Sequence, residues 1–298
     1  MTEHTKSLIQ LHFAVALFGG TALFSHLLPW SALDITMFRS ALAAMTLMVI
    51  VKVQGDSLQL NSAQDYKVAL VLGISIGLHW VTYFYAMQLA GVAVGMLAFF
   101  CYPVVTVFLE PLFNKTKPHL RDVLCGAAVF IGVFLLVPEL NMQNDTTLGV
   151  VIGISSGFLF ALRNVLHKQY FSHYKGTQAM FYQTAVVSIM LVGLVDFNPL
   201  DMTGFIVDDG LGELGLLLIL SCVFTAAPHA FMAGCFKYLS AKTAGLIACL
   251  QPLYGVLFAA LILSQWPGAN VYFGGALIVA AAILETVLVT RKRKKLNE

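Results

Sequence analysis

The feature that most constrains this chain is a series of ten apolar segments separated by turn residues and charges. A helix needs about 20 mainly apolar residues to cross a bilayer core that is about 30 Å thick. The segments are residues 8–28, 33–53, 66–89, 91–112, 122–138, 147–168, 176–195, 214–237, 241–263 and 269–290. Charged residues make up 11% of the chain, against about 25% in soluble domains. The sequence therefore predicts an all-α membrane protein with ten transmembrane helices.

The basic residues predict how these helices are oriented. If the N-terminus is inside, fifteen of the 17 Lys and Arg residues fall in inner segments and none falls in an outer loop; the other two, Arg39 and Arg163, lie within helices. Because basic loops stay in the cytoplasm, both termini are predicted to be cytoplasmic and the protein to lie in the cell inner membrane. The basic tail Arg291–Lys295 is interpreted as an anchor on anionic lipid headgroups.

The second half of the chain repeats the first at a fixed offset of 149 residues. His79–Gly126 aligns with Pro228–Gly275 without a gap, and Pro103 falls on Pro252. Several matched positions at one offset, across three predicted helices, indicate an internal repeat rather than chance.

The repeat predicts two domains with opposite orientations in the membrane, 1–140 and 141–298. Each holds five helices, and an odd number of crossings makes the second copy insert in the opposite sense. Such halves can exchange conformations, so that a central site near the midplane opens to each side in turn. A repeat that serves folding alone is the alternative.

Several short stretches resemble the EamA branch of the drug/metabolite transporter superfamily. They are Phe38-Arg39-Ser-Ala-Leu-Ala-Ala, Tyr102-Pro103, Gln251-Pro252, Gly126-Ala-Ala and Gly275-Ala-Leu. The resemblance covers nearly the whole chain as two EamA-type halves. It implies ten helices, with the first, third, fourth, sixth, eighth and ninth surrounding a cavity, and export of small metabolites, often amino acids or amphipathic compounds. Some members of the superfamily import instead.

One departure from the family pattern limits what the resemblance implies. Members often carry a Gly-Glu pair after the fourth and ninth helices, where this chain has Lys115-Thr116 and Ser264-Gln265. The role of that glutamate cannot be carried over.

Two arginines and two glutamates are candidates for ionisable residues inside the membrane. An ionisable group inside a membrane costs about 2.5–3.5 kcal/mol on insertion scales. Arg39 either snorkels to the interface or faces the bundle, where it would hold the fold or meet an anionic group such as a substrate carboxylate. Arg163 is predicted to snorkel. Glu110 and Glu285 are either structural carboxyls or proton carriers, and Glu110 is the better candidate for coupling.

The candidate cavity residues share helix faces and combine aromatic rings with a few polar groups. His79 and Tyr83 are four residues apart on one face, with Trp80 predicted to turn aside. Pro103 and Pro252 interrupt helical hydrogen bonding and are candidate hinges. The full set of candidates is Phe18, His79, Tyr83, Phe99, Tyr102, Thr106, Phe160, Asn164, His229, Gln251 and Tyr254. Ordinary packing is the alternative reading of each.

The predicted function is a secondary transporter that exports amino acids or amphipathic metabolites by alternating access, with proton antiport through Glu110 or His79 as a hypothesis. No sequence motif for ATP, dinucleotide or catalytic zinc binding is present, so no cofactor, metal or nucleic-acid partner is expected. The expected partners are a small-molecule substrate, membrane lipid and protons, with the chain as a monomer or homodimer. The alternatives are an importer or facilitator of a nucleotide-derived or vitamin-like metabolite, an intramembrane enzyme and a membrane scaffold.

Overall fold

The structure is a computed structural model. It describes residues 3–114, 120–137, 141–195, 206–207, 210–229, 231 and 247–297. In chain order the helices begin with α1 (Glu3–Gly20), which continues through a 3-10 turn (Thr21–Leu23) into α2 (Phe24–Leu27). The next elements are α3 (Ala32–Val53), α4 (Ala63–Ala90), α5 (Val92–Phe99), α6 (Tyr102–Asn114), α7 (Leu120–Leu136), α8 (Asp145–Tyr170) and α9 (Gly176–Leu191).

The last third of the chain contains two minimal strands before the helices resume. The strands β1 (Ile206–Val207) and β2 (Gly210–Leu211) pair antiparallel. They precede α10 (Glu213–Leu218), which continues as a π-helical segment (Ile219–Ala226), and the chain ends with α11 (Gln251–Ile262) and α12 (Ala269–Asn297). The fold is otherwise helical throughout the described ranges.

Helix lies within each of the ten apolar segments predicted from the sequence. Four helices are long and apolar enough to cross a membrane, namely Thr5–Leu27, Ala32–Val53, Ala63–Ala90 and Asp145–Tyr170, and five shorter apolar helices accompany them. The chain is thus a multi-pass helical protein. The count of ten crossings and the cytoplasmic position of both termini stay predictions.

Short polar side chains set where three of the long helices begin. The backbone N–H of Asp34 donates to Ser31 Oγ over 3.1 Å, and that of Thr147 donates to Asn144 Oδ1 over 3.2 Å. At the other end of the bundle, Ser62 accepts from Asp65 N over 3.2 Å. Each cap satisfies an N–H group that the first helical turn leaves without a partner.

Two matching breaks differ from the uninterrupted helices that were predicted. The predicted segment 91–112 is split at residues 100–101, between α5 and α6, and the segment 241–263 has a turn at residues 249–250 just before α11. Residues 241–246 of the latter lie outside the described residues. Pro103 and Pro252 therefore stand in the first turn of a new helix, where a missing N–H costs little. The two breaks are 149 positions apart, the offset at which the halves align.

Packing between the halves follows the same two-fold correspondence. α3 packs on α9, α5 on α11 and α7 on α12, while the contact of α6 with α8 is matched by that of α11 with α1. The α7–α12 crossing is backbone to backbone: a Cβ at Gly132 would lie 2.9 Å from Gly274 O, and a Cβ at Gly274 would lie 2.6 Å from Gly132 O. Small residues permit this close approach of helices.

Candidate substrate cavity

A cavity of about 460 Å³ lies between helices of both halves. Its volume falls in the range of about 300–1,000 Å³ that is usual for small-molecule pockets. The lining residues are Val15, Phe18, Thr21, Arg39, Ile76, His79, Trp80, Tyr83, Phe99, Tyr102, Phe160, Arg163, Asn164, His167, Phe224, His229, Ala248 and Gln251. The structure thus brings together nine of the eleven candidate cavity residues, and α3 adds Arg39.

A cluster of stacked rings forms one wall of the cavity. Phe99 at the end of α5 stacks on His79 with ring centroids 5.1 Å apart and on Tyr102 at 5.2 Å. Phe160 of α8 packs against His79 at 4.8 Å and edge-on against Tyr102 at 4.9 Å. The break between α5 and α6 allows Phe99 and Tyr102 to face the same space. Such offset and edge-to-face pairs fix the rings without filling the cavity.

The hydrogen bonds of His79 fix its tautomer. Ser156 Oγ donates its only proton to His79 O over 3.0 Å, and the same oxygen lies 2.8 Å from His79 Nδ1. Because the hydroxyl proton is already used, Nδ1–H must be the donor in the second contact. The neutral ring therefore keeps Nε2 as a hydrogen-bond acceptor.

His229 is held in the same tautomer by a different element. Its Nδ1 donates to Thr225 O over 2.6 Å, and the ring meets Phe18 of α1 edge-on with centroids 5.0 Å apart. A carbonyl can only accept, so Nε2 of the neutral ring is again the acceptor. The π-helical segment that ends at Ala226 brings this ring to the cavity.

Arg39 points into the bundle rather than to an interface. Its side chain is 2% exposed. Its guanidinium carbon lies 4.2 Å from the centroid of the Trp80 ring and 5.2 Å from that of Phe84. Its Nε and Nη1 and the hydroxyl of Tyr83 are buried without a hydrogen-bond partner among the described residues. A buried cation that rests only on aromatic faces is left with unused donors.

Arg163 corrects a prediction, because it does not snorkel to the inner interface. It lines the cavity, and its Nε donates to Gln183 Oε1 over 2.7 Å. Its two terminal nitrogens donate to Asn164 Oδ1 over 2.9 Å and to Met180 Sδ over 3.3 Å. The acceptors on α9 turn the side chain inward, which the position of Arg163 within its own helix could not indicate.

Two candidates, Thr106 and Tyr254, are not among the described lining residues and stay predictions, while one residue that was predicted to face away does line the cavity. Thr106 Oγ1 donates to Tyr102 O one turn back over 2.8 Å, and Tyr254 stacks on Phe258 with centroids 6.3 Å apart. A Cβ at Gly19 would lie 2.8 Å from Tyr254 Cβ, so α1 covers that face of α11. Trp80 lines the cavity because Arg39 stacks on it. The side chains of Glu110 and Glu285 lie outside what the structure describes.

Contacts within the first half and between the two halves close the end of the bundle that is predicted to be outer. Gln88 Nε2 donates to Trp30 O over 2.8 Å, and Trp30 Nε1 donates to Glu213 Oε2 over 3.2 Å. Val92 N donates to Gln265 Oε1 over 3.1 Å. The apolar side chains buried beside them are Leu28, Phe84, Met87 and Met96. Along α4 the cavity residues end at Tyr83, one turn before Met87 of this layer.

Known proteins similar to this chain are membrane transporters. The chain is 25% identical over 252 residues to the pseudopaline exporter CntI of Pseudomonas aeruginosa, an alignment that covers 85% of each chain. It is 26% identical over 226 residues to an uncharacterized transporter of Synechocystis, covering 72% of this chain and 64% of that one. A crystal structure with 16% sequence identity matches 96% of this chain and 98% of its own with a TM-score of 0.64, which shows a shared fold.

The family match spans both halves of the chain. The model of the EamA-like transporter family matches residues 5–137 and again residues 147–287. The two matches meet between the helices α7 and α8, as the internal repeat predicts for a tandem arrangement. The resemblance drawn from the sequence is thereby confirmed: the chain belongs to the EamA-like transporter family.

Proposed function

We propose that this transporter exports small amphipathic metabolites, each of which carries a carboxylate, through the central cavity by alternating access. The family supports membrane transport of small metabolites. Direction is proposed from the relative of Pseudomonas aeruginosa, whose name describes an exporter. The candidate residues that line the cavity would form the binding site.

This proposal rests on the burial of Arg39 and on its unused hydrogen-bond donors. A buried cation without a counter-charge is costly, yet Arg39 is 2% exposed and lines the cavity. Its unused Nε and Nη1 are N–H donors to which a substrate carboxylate can bind through charge-assisted hydrogen bonds. A substrate carboxylate would supply the acceptors that the described part of the chain does not.

Alternating access would use the inverted repeat and its two breaks. We assign ten membrane crossings, cytoplasmic termini, an inner-membrane location and repeats 1–140 and 141–298. The 149-residue spacing of the breaks and the paired helix contacts support this arrangement. Pro103 and Pro252 would act as hinges, because each begins a helix directly after a break. Reporter fusions test the topology: Lys115 and Lys242 should both report from the cytoplasm, and opposite sides would contradict it.

Proton antiport is the proposed energy source, with Glu110 or His79 as the proton carrier. Glu285 is a further carboxyl group proposed to lie inside the membrane. The rival mechanism is a facilitator driven by the substrate gradient alone. Flux into proteoliposomes should respond to an imposed pH gradient if protons are coupled. A flux that ignores the gradient would favour the facilitator. Crosslinking in the same membranes would decide between monomer and homodimer.

The proposed site is tested by flux of a metabolite panel through purified protein in liposomes. Arg39→Gln should abolish the flux of carboxylate-bearing substrates, since a neutral amide cannot replace the positive charge of the guanidinium. Lys67→Gln makes the same kind of change at an exposed residue outside the cavity and should leave flux unchanged. Flux through the Arg39→Gln protein at the wild-type rate would refute the proposed site.

A further inference from the structure

Two positive charges meet in the central cavity. Arg39 and Arg163 both line it, together with His79 and His229. Among the described lining residues there is no Asp or Glu. Two guanidiniums that share so small a space repel each other unless a ligand brings opposite charge.

The two arginines differ in how their N–H groups are used. Arg163 donates to Gln183, Asn164 and Met180, which are neutral acceptors that fix its direction without balancing its charge. A guanidinium has five N–H groups, so two of those on Arg163 remain. Arg39 makes no hydrogen bond to any residue that the structure describes. Each guanidinium can therefore take one carboxylate.

The two histidines require a ligand group that donates a hydrogen bond, whereas the arginines bind acceptors. Their Nδ1 atoms are bound to Ser156 and Thr225, which leaves Nε2 of each neutral ring as an acceptor. A ligand that carried only carboxylates would have no hydrogen-bond donor for these Nε2 atoms. An N–H group that lies within reach of both rings would satisfy them.

The rest of the lining is aromatic. Phe99, Phe160 and Tyr102 form a continuous wall beside His79, and Phe18 and Phe224 also line the cavity. Such walls bury apolar or aromatic substituents and leave the polar groups to set the orientation. The ligand that fits all three features has two carboxylates, an N–H group and an apolar part.

We propose that the substrate class of this transporter is the N-substituted amino dicarboxylates, with one carboxylate on Arg39, the other on Arg163, and the amino N–H on Nε2 of the histidines. The inference rests on the proposed transport through this cavity and narrows its substrate. Arg163 becomes a second binding residue, and the aromatic wall holds the substituent on nitrogen.

The test compares two compounds that differ in one carboxylate. N-benzyl-L-glutamate has both acids, and N-benzyl-L-glutamine has nearly the same shape with one acid changed to an amide. Binding to the purified wild-type protein should be about tenfold or more tighter for the diacid, because it makes one additional charge-assisted contact. In Arg163→Gln protein that preference should fall to about twofold or less, whereas Lys67→Gln protein should retain it.

Equal affinity of the two compounds for the wild-type protein, or binding of neither, would overturn the inference. The wild-type comparison does not depend on whether a variant folds. Flux of both compounds through proteoliposomes distinguishes the two proposals. If the amide is carried as fast as the diacid, transport stands and the diacid preference is wrong. If the diacid binds preferentially but neither compound moves faster than through protein-free liposomes, the preference stands and transport of this class is wrong.

Discussion

Arg39 rests on Trp80, with the guanidinium carbon 4.2 Å from the ring centroid, and no carboxylate in the described chain approaches it. A cation–π contact contributes about 0.5–2 kcal/mol, far less than full ionic pairing would provide for a buried charge. Arg39 is therefore a buried cation whose electrostatic cost is not offset by an ionic partner in the described part of the chain.

Replacing Arg39 should separate stability from activity. We expect Arg39→Met to melt at or above the wild-type temperature, since apolar replacements of buried ionic groups gain up to about 1–4 kcal/mol, and to lose transport. Arg163→Met should melt lower, because Gln183 Oε1 loses its donor in a residue that is 0% exposed. Thermal unfolding in detergent checks both. A clear drop for Arg39→Met would contradict the view of Arg39 as a cation without ionic compensation.

The tautomer of His79 should depend on Ser156. Ser156→Ala removes the acceptor of Nδ1–H and the donor to His79 O, which should cost about 1–3 kcal/mol and reduce flux, because Nε2 is no longer fixed as the acceptor. The neighbouring Ser155 is exposed and donates only to Val151 O in its own helix. Ser155→Ala is thus a matched control, and equal effects of the two changes would argue against the tautomer assignment.

The approach of α8 to α5 should tolerate no side chain at Gly157. A Cβ there would lie 2.7 Å from Phe99 O, so Gly157→Ala must push apart the helices that carry the aromatic wall. We expect a loss of about 1–3 kcal/mol, as for other overpacked sites, and weaker substrate binding. Gly193→Ala has nothing within 4 Å and should be neutral. Unchanged melting of Gly157→Ala would contradict this close contact.

The closed outer layer should open more readily when Gln265 is lost. Gln265→Leu removes the acceptor of Val92 N, an N–H group at the start of a helix that would then have no partner. A cysteine placed at Leu28, which is 1% exposed, should react faster with a membrane-impermeant maleimide added outside. The exposed Gln64 supplies the control change Gln64→Leu. Equal labelling in both backgrounds would indicate that this bond does not hold the layer closed.

Much of the architecture could be predicted because it depends on patterns within the sequence, namely the length of apolar segments and the internal repeat. Apolar length locates helices, and the repeat at 149 residues places Pro103 opposite Pro252 in the two halves. The face shared by His79 and Tyr83 follows from helical periodicity, and both residues line the cavity. Periodicity does not tell which neighbour a face meets, and Thr106 and Tyr254 accordingly share faces with lining residues without lining the described cavity themselves.

The breaks at residues 100–101 and 249–250 show the same limit within one segment. Proline indicated a disturbance of the helix, but the sequence could not indicate that each proline begins a new helix rather than interrupting one. At the first break, Phe99 and Tyr102 stand on either side and both pack against Phe160, which lies on a helix of the other half.

The sequence by itself determined that this chain is a helical membrane protein built from two related halves, because apolar length and internal repetition are properties of the chain alone. Only the tertiary structure decided which charges face the cavity. Arg163 turns inward because Gln183 of another helix accepts from it, and Arg39 lies on Trp80 without an ionic partner in the described chain. Such partners are set by packing between helices distant in sequence, and the substrate chemistry proposed above follows from them.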